Sequence, residues 1–236
     1  MNYAILAGGQ GSRFVKDGVQ VPKPLVKILG RTMLQRLIDL FMNNGAERIT
    51  VSANANMPML LEALEQCVKS GLPVEVRPIV TDNSFVSLQN ACRNLGDKFI
   101  ATTVDAMFFD SEFSEFVKKF ESMNSEEDVL MGLTRFVDDP SPLYADLNSD
   151  GLVVDYRYGG EPFASGTIVS AGIYGLTPAS FKAVEKVCAV PESLSDFQRI
   201  LAAKTPINVK VFEFSKAFDV DCVHDVSVAE DFLSTK

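Results

Sequence analysis

Two spacings of apolar residues take turns along the first half of the chain. Residues 3–7, 48–53, 74–79 and 99–104 are short apolar runs rich in β-branched side chains and predict strands. In 33–43, 59–68 and 85–95 apolar residues recur every three or four positions and predict helices. Strand followed by helix, repeated, implies βαβ units and a largely parallel sheet covered by helices on both faces. Local signals agree. Pro58 suits a first helical turn, Gly45 and Gly71 suit helix ends, and Asp110 or Ser111 is expected to cap a helix running to Phe120.

The second half is patterned differently. Runs at 129–134, 143–147, 152–157 and 167–176 predict strands, parted by the turn signals NSDG at 148–151 and YGG at 158–160. A β-rich, partly antiparallel insertion is therefore expected. Helices near 179–188 and 195–203, a strand near 209–214, the segment 218–222 and a closing helix over 225–233 complete the reading. No repeat, linker or low-complexity tract interrupts the 236 residues, so one continuous domain is expected.

Composition narrows the class. With 47% hydrophobic residues the chain can bury a sizeable core, while no run approaches the roughly 18–20 apolar residues of a membrane span. The N-terminus lacks the basic flank and apolar stretch of a signal peptide, so a cytoplasmic protein without membrane contact is expected. Cys67, Cys92, Cys188 and Cys222 are widely spaced and His224 is the single histidine, which suggests neither a disulfide framework nor a zinc site. A net charge of −9 argues against a nucleic-acid partner.

Against that acidity, one segment stands out. Between Arg13 and Arg31 lie five basic residues, Arg13, Lys16, Lys23, Lys27 and Arg31, and a single acidic one, Asp17. The segment follows LAGGQGSRF at 6–14, three glycines in four positions directly after the first predicted strand. Each ordered glycine costs about 0.5–1 kcal/mol relative to alanine. A tight strand-to-helix turn is one reason to accept that cost; a backbone that must approach a bulky anion such as a triphosphate is another. The GxxxxGK spacing of a P-loop is absent, and the third glycine of a dinucleotide fingerprint is replaced by Phe14.

LxxGxGxR at 6–13, VPKPLVK at 21–27 and GRTML at 30–34 together resemble the nucleotidyltransferases that join an NTP to a sugar phosphate or similar small phosphate. These comprise sugar-nucleotide pyrophosphorylases, choline-phosphate cytidylyltransferases and molybdenum-cofactor guanylyltransferases. The resemblance implies a Rossmann-like three-layer αβα sandwich with a mostly parallel mixed sheet. It also implies that residues 1–125 bind the nucleotide and 126–236 bind the acceptor. It assigns nucleotide contact to Leu6, Ala7, Gly8, Gly9, Gly11 and Ser12, and neutralisation of the triphosphate to Arg13 and Lys23. NSFVSLQNA at 83–91 resembles a stretch near the base in choline-phosphate cytidylyltransferases, which nominates Asn83 and Ser87; an ordinary helix capped by Asp82 or Asn83 explains it equally well. Glu161-Pro162 and SAGIY at 170–174 resemble sugar-binding segments, which nominates Glu161 and Gly172 for the acceptor, although a turn and a strand also account for them.

Transfer between two anionic phosphates calls for Mg²⁺ held by carboxylates that leave the ion open to phosphate oxygens. Asp105 ends the apolar run 99–104, and the carboxyl ends of parallel strands are where ligands bind; capping the next turn is its plainer alternative. DVDCVHDVSVAE at 219–230 resembles the family's closing segment, which makes Asp221 the second metal ligand, Asp219 a supporting or solvent-facing residue, and Asp225 a helix cap. His224 reads as structural. The expected reaction is attack of a sugar 1-phosphate or comparable phosphomonoester on the α-phosphorus of an NTP. The chain alone leaves base and acceptor open, a phosphocholine-type acceptor included. Two other readings stand beside it: a DxD glycosyltransferase using Asp219 and Asp221, and a non-catalytic NTP-binding regulator.

Overall fold

The computed structural model describes residues 1–125, 128–137 and 139–234. In chain order the first half runs β1 (Asn2–Ala7), α1 (Ser12–Lys16), a 3-10 turn (Lys23–Leu25), β2 (Lys27–Ile28), β3 (Arg31–Thr32), α2 (Met33–Asn43), β4 (Arg48–Asn54), α3 (Pro58–Lys69), β5 (Val74–Ile79), α4 (Ser84–Cys92), β6 (Phe99–Thr103), β7 (Ala106–Met107) and α5 (Asp110–Ser122). There follow β8 (Asp128–Thr134), β9 (Leu143–Leu147), β10 (Val153–Tyr158), β11 (Val169–Leu176), α6 (Pro178–Glu185), α7 (Leu194–Lys204), β12 (Asn208–Phe214), β13 (Phe218–Asp219) and α8 (Val223–Ser234).

Period-two patterning in β1 decides the layers. Tyr3, Ile5 and Ala7 join one core with α2, α3 and α5, whereas Ala4 and Leu6 join a second core with α4 and α7. Both faces of this strand are buried, as a parallel strand under helices on either side requires. On the first face Tyr3 stacks on Phe41 with ring centroids 4.4 Å apart and donates its hydroxyl to the Asn44 carbonyl at 2.8 Å.

One sheet of nine strands carries the fold. β1 pairs in parallel with β4 on one side and β6 on the other, and β4 pairs in parallel with β5. The chain thus grows outward from β1 in one direction and then crosses to its other side. The carboxyl ends of β1 and β6 flank this reversal, the place where open α/β sheets bind ligands. Beyond β6 the sheet turns antiparallel: β11 pairs antiparallel with β6, β8 with β11, and β9 with β10, while β12 returns parallel to β8. The expected β-rich second half therefore extends the same sheet as the first.

A third, smaller core gathers Phe14, Val26, Ile28 and Met33 with Met107, Phe218, Val220 and Phe232, and seats the segment after β1 against α8. The expected cap of α5 is corrected. Phe109 occupies the N-cap position, and Asp110 is the first helical residue, paired with Arg36 at 2.9 Å. Among the described residues no helix is long and apolar enough to cross a membrane.

Candidate active site

The glycine turn after β1 is shaped by close approaches. Gly11 is the N-cap of α1 at φ 63°, in the left-handed region, and a Cβ there would lie 2.8 Å from Lys23 Cβ, so both backbone and space demand glycine. A Cβ on Gly8 would meet Ser87 Oγ at 2.9 Å, and the Gly8 carbonyl accepts from Asn54 Nδ2 at 3.1 Å. Gly9 differs: a Cβ there meets nothing within 4 Å and would project into open space.

Lys23 enters the same cleft from the 3-10 turn, only 9% exposed. Its Nζ donates to Asp105 Oδ2 and to Asp221 Oδ1, and Arg13 Nη1 donates to Asp221 Oδ2 at 2.6 Å. Burial pulls the Lys23 ammonium toward neutrality, but the charges and hydrogen bonds of Asp105 and Asp221 outweigh it and hold the pKa above the ordinary lysine value.

Remote sequence positions meet here for a local reason. β13 pairs antiparallel with β7, setting Phe218 opposite Met107 and Asp219 opposite Ala106, and Val220 N then donates to the Asp105 carbonyl at 3.1 Å. This ribbon carries the end of the chain across the end of β6. Asp225 Oδ2 fixes the turn that follows by accepting from Asp221 N at 2.8 Å and Cys222 N at 2.9 Å. Asp225 thus caps the start of α8 from inside its first turn, reaching back to residues ahead of it.

Asp219 lines the second lobe beside Asp221. Desolvation in the cleft, together with the charges of Asp105 and Asp221, raises its pKa well above the ordinary aspartate value, against the opposing pull of Lys23. Asp105 Oδ1 is buried and has no hydrogen-bond partner among the described residues. Two hard carboxylate oxygens that converge on one cation, with a further oxygen unsatisfied, match the one or two carboxylates by which Mg²⁺ is usually held beside substrate phosphates. Among the described residues no group of three or more His, Cys, Asp or Glu is arranged to hold a metal ion.

The cleft has two lobes. A cavity of ≈ 430 Å³ is lined by Gly8, Gly9, Gly11, Asp82, Asn83 and Ser87, and an adjoining one of ≈ 520 Å³ by Tyr158, Ser170, Gly172, Gln198, Asp219 and His224. Arg13, Thr103 and Asp221 border both. Gly172, at φ +71°, sits at a register break in the β11–β8 pairing, and a Cβ there would lie 2.8 Å from Thr103 Oγ1.

Leu6, Ala7 and Ser12 line the first lobe alongside the glycines. Asn83 lines it too, but its side chain is occupied as the N-cap of α4, Oδ1 accepting from Phe85 N and Val86 N while Nδ2 donates to the Pro191 carbonyl at 2.9 Å. Ser87 Oγ donates to Ser52 Oγ at 3.0 Å. Glu161 does not line either lobe; it lies in the exposed turn after β10, where its carbonyl accepts from Arg157 Nη2. Of the basic segment only Arg13 and Lys23 reach the cleft, and Arg31 instead pairs with Asp39 at 3.1 Å.

Cleft residues beyond those expected include Asp82, Thr103, Tyr158 and Gln198. Gln198 had a legible signal, a long polar side chain on the apolar face of a predicted helix. It is buried, and its Oε1 accepts from Ser170 Oγ at 2.9 Å.

Comparison with known proteins gives relatives of matching architecture. Two mannose-1-phosphate guanyltransferases align over 193 residues, that of Candida glabrata (its enzyme 2) at 23% identity and that of Saccharomyces cerevisiae at 24%. In each case the alignment takes in 78% of this chain and 52% of the relative, so the chain spans about half the length of these proteins. The structure of the inositol-1-phosphate CTP transferase from T. maritima superposes with a TM-score of 0.79 at 21% identity, covering 99% of this chain and 94% of that one, which shows a common fold. The MobA-like NTP transferase domain profile matches residues 3–137, more than half of the sequence and the whole run from β1 through the glycine turn, Lys23 and Asp105; the chain belongs to that family.

Proposed function

We propose that this chain is a Mg²⁺-dependent nucleotidyltransferase that moves a nucleoside monophosphate from an NTP to a sugar 1-phosphate or similar phosphomonoester, releasing pyrophosphate and forming an NDP-sugar. The observation that carries this reading is the convergence of Asp105 and Asp221 on one ammonium, beside the glycine turn and between two lobes. The first lobe then takes the NTP and the second the acceptor. Relatives that bear on the acceptor are mannose-1-phosphate guanyltransferases and an inositol-1-phosphate CTP transferase by name, and both named acceptors are hydroxyl-rich phosphomonoesters. Ser170, Gln198 and Tyr158 supply hydroxyl and amide groups suited to such a ligand.

An acceptor phosphate oxygen attacks the α-phosphorus while the bond to the bridging oxygen breaks and pyrophosphate leaves. The nucleophile is already an anion, so no general base is required, and the chain's work is alignment and charge compensation. Gly9 lets the backbone approach the triphosphate, Arg13 and Lys23 offset its charge, and Gly172 lets β11 pack close against Thr103 at the wall of the acceptor lobe. Asp105 and Asp221 would hold the Mg²⁺ ion, which supplies Lewis-acid polarisation of the phosphate oxygens.

The test is a matrix of the four NTPs against sugar 1-phosphates, inositol 1-phosphate and phosphocholine, read by pyrophosphate release with Mg²⁺. Release with at least one pair, lost in folded Asp105→Ala and Asp221→Ala, is the expected result. Full Mg²⁺-dependent activity in either folded variant would remove that residue's role. Consumption of a sugar nucleotide without pyrophosphate release would favour glycosyl transfer, and NTP binding without turnover of any acceptor would favour a regulator.

A further inference from the structure

Asp17 is the one acidic residue between Arg13 and Arg31. It stands at the C-cap of α1, where the peptide dipoles present their negative end, so a carboxylate brings that helix no local benefit. Its reason for being there is tertiary: Asp17 Oδ2 accepts from Val223 N at 3.1 Å, at the opening of α8. From the other side Asp225 already holds the N–H groups of Asp221 and Cys222. Three successive backbone donors, 221 to 223, are therefore fixed by two carboxylates.

The other end of α1 closes a ring. Arg13 Nη1 reaches Asp221 Oδ2 at 2.6 Å, so α1 touches the 221–223 turn at both its ends. A five-residue helix does not persist by itself, and its placement depends on docking. Phe14, 1% exposed in the third core, supplies the burial that docks it. One buried ring is a pivot that leaves rotation about it open. The Asp17 contact, acting with the Arg13–Asp221 pair, restrains that rotation.

We infer that Asp17 is a positioning residue: it sets the Arg13 guanidinium and the 221–223 turn relative to each other, and through them the seat of the triphosphate. The inference rests on the proposed nucleotidyl transfer for its meaning, but its primary measurement is nucleotide affinity, which does not need turnover.

The experiment is calorimetric titration of the wild type, Asp17→Ala, Asp17→Asn, Arg13→Ala and the Asp17→Ala/Arg13→Ala double variant with each NTP and Mg²⁺. Asp17→Ala is expected to weaken NTP binding about tenfold, and Asp17→Asn, whose side-chain oxygen can still accept from Val223 N, to recover most of it. In the Arg13→Ala background the further loss is expected to stay under about twofold, because the group being positioned is gone. A merely structural role would lower the melting temperature in both backgrounds and leave the two losses additive. Unchanged affinity in Asp17→Ala, no recovery in Asp17→Asn, or additive losses would overturn the inference. Should Asp17→Ala not fold, Asp17→Ser takes its place, with an affinity expected between alanine-like loss and the Asn variant; affinity equal to wild type would overturn it. Absence of pyrophosphate release from a wild type that binds NTP would instead strike the functional reading alone.

Discussion

Asp105 and Asp221 share a single counter-ion: Oδ2 of the first and Oδ1 of the second both accept from Lys23 Nζ. In the free protein the lysine ammonium therefore stands between the two carboxylates to which an ion-binding role is proposed. A divalent ion must compete with a tethered cation of the same chain, unless a triphosphate draws the lysine away.

Lys23→Met removes that competitor. The variant is expected to bind Mn²⁺ without nucleotide at least about tenfold more tightly than wild type, since a neighbouring positive charge disfavours cation binding at close range. Wild type is expected to gain Mn²⁺ affinity on adding NTP. Electron paramagnetic resonance of free Mn²⁺ reads both, and equal affinities of variant and wild type in the absence of nucleotide would contradict the competition.

Gly8 and Gly9 separate fold from ligand. Gly8→Ala places a Cβ 2.9 Å from Ser87 Oγ, which is tied to Ser52, and overpacking of this kind costs about 1–3 kcal/mol. Gly9→Ala projects into open space and is expected to melt within a degree or two of wild type, roughly the range of a neutral surface change. Under the proposed function that space belongs to the nucleotide, so Gly9→Ala should nevertheless bind NTP more weakly. Thermal melts with and without NTP distinguish the two; undiminished NTP stabilisation in Gly9→Ala would clear Gly9 of contact.

Asp128 provides a pH test away from the cleft. At the start of β8, with its side chain 9% exposed, it accepts from Lys210 Nζ and from Asn208 Nδ2 at 2.8 Å. Burial pushes its carboxyl pKa up, but the hydrogen bonds from Lys210 and Asn208 outweigh this and hold it below the ordinary aspartate value. A folded-state pKa below the unfolded one contributes stability that is complete above about pH 4 and fades as pH falls through the folded value. Asp128→Ala is expected to cost about 1–3 kcal/mol at neutral pH, with the difference from wild type shrinking below about pH 4. Urea unfolding across pH 3–7 measures it; a pH-independent difference would contradict the charge assignment.

Much of this arrangement was readable from residue order because its causes are local. Alternation in β1 reports burial on both faces, and 33–43 has the bounds of α2 because apolar spacing and Thr32, whose hydroxyl accepts from Gln35 N, agree on where the helix begins. Asp105 was legible as the end of a parallel strand. Asp221 was legible only through resemblance, since the β7–β13 ribbon that delivers it depends on pairing across most of the chain. The same dependence hid Tyr158 on β10, and it hid where Gln198 of α7 would point, although a polar side chain on that helix's apolar face was itself a signal; the two meet in the second lobe through sheet order and helix docking. Glu161 shows the reverse case. A short motif in a turn carries little about where the turn points, and this one lies at the sheet edge, outside the cleft.

The ribbon between β7 and β13 also sets a timetable for synthesis. A nascent chain displays β1, the glycine turn, Lys23 and Asp105 long before β13 leaves the ribosome, and until then Val220 cannot join Asp105 and Lys23 has one carboxylate for company. Under the proposed function, the centre between the two lobes therefore closes only after most of the sheet has been translated.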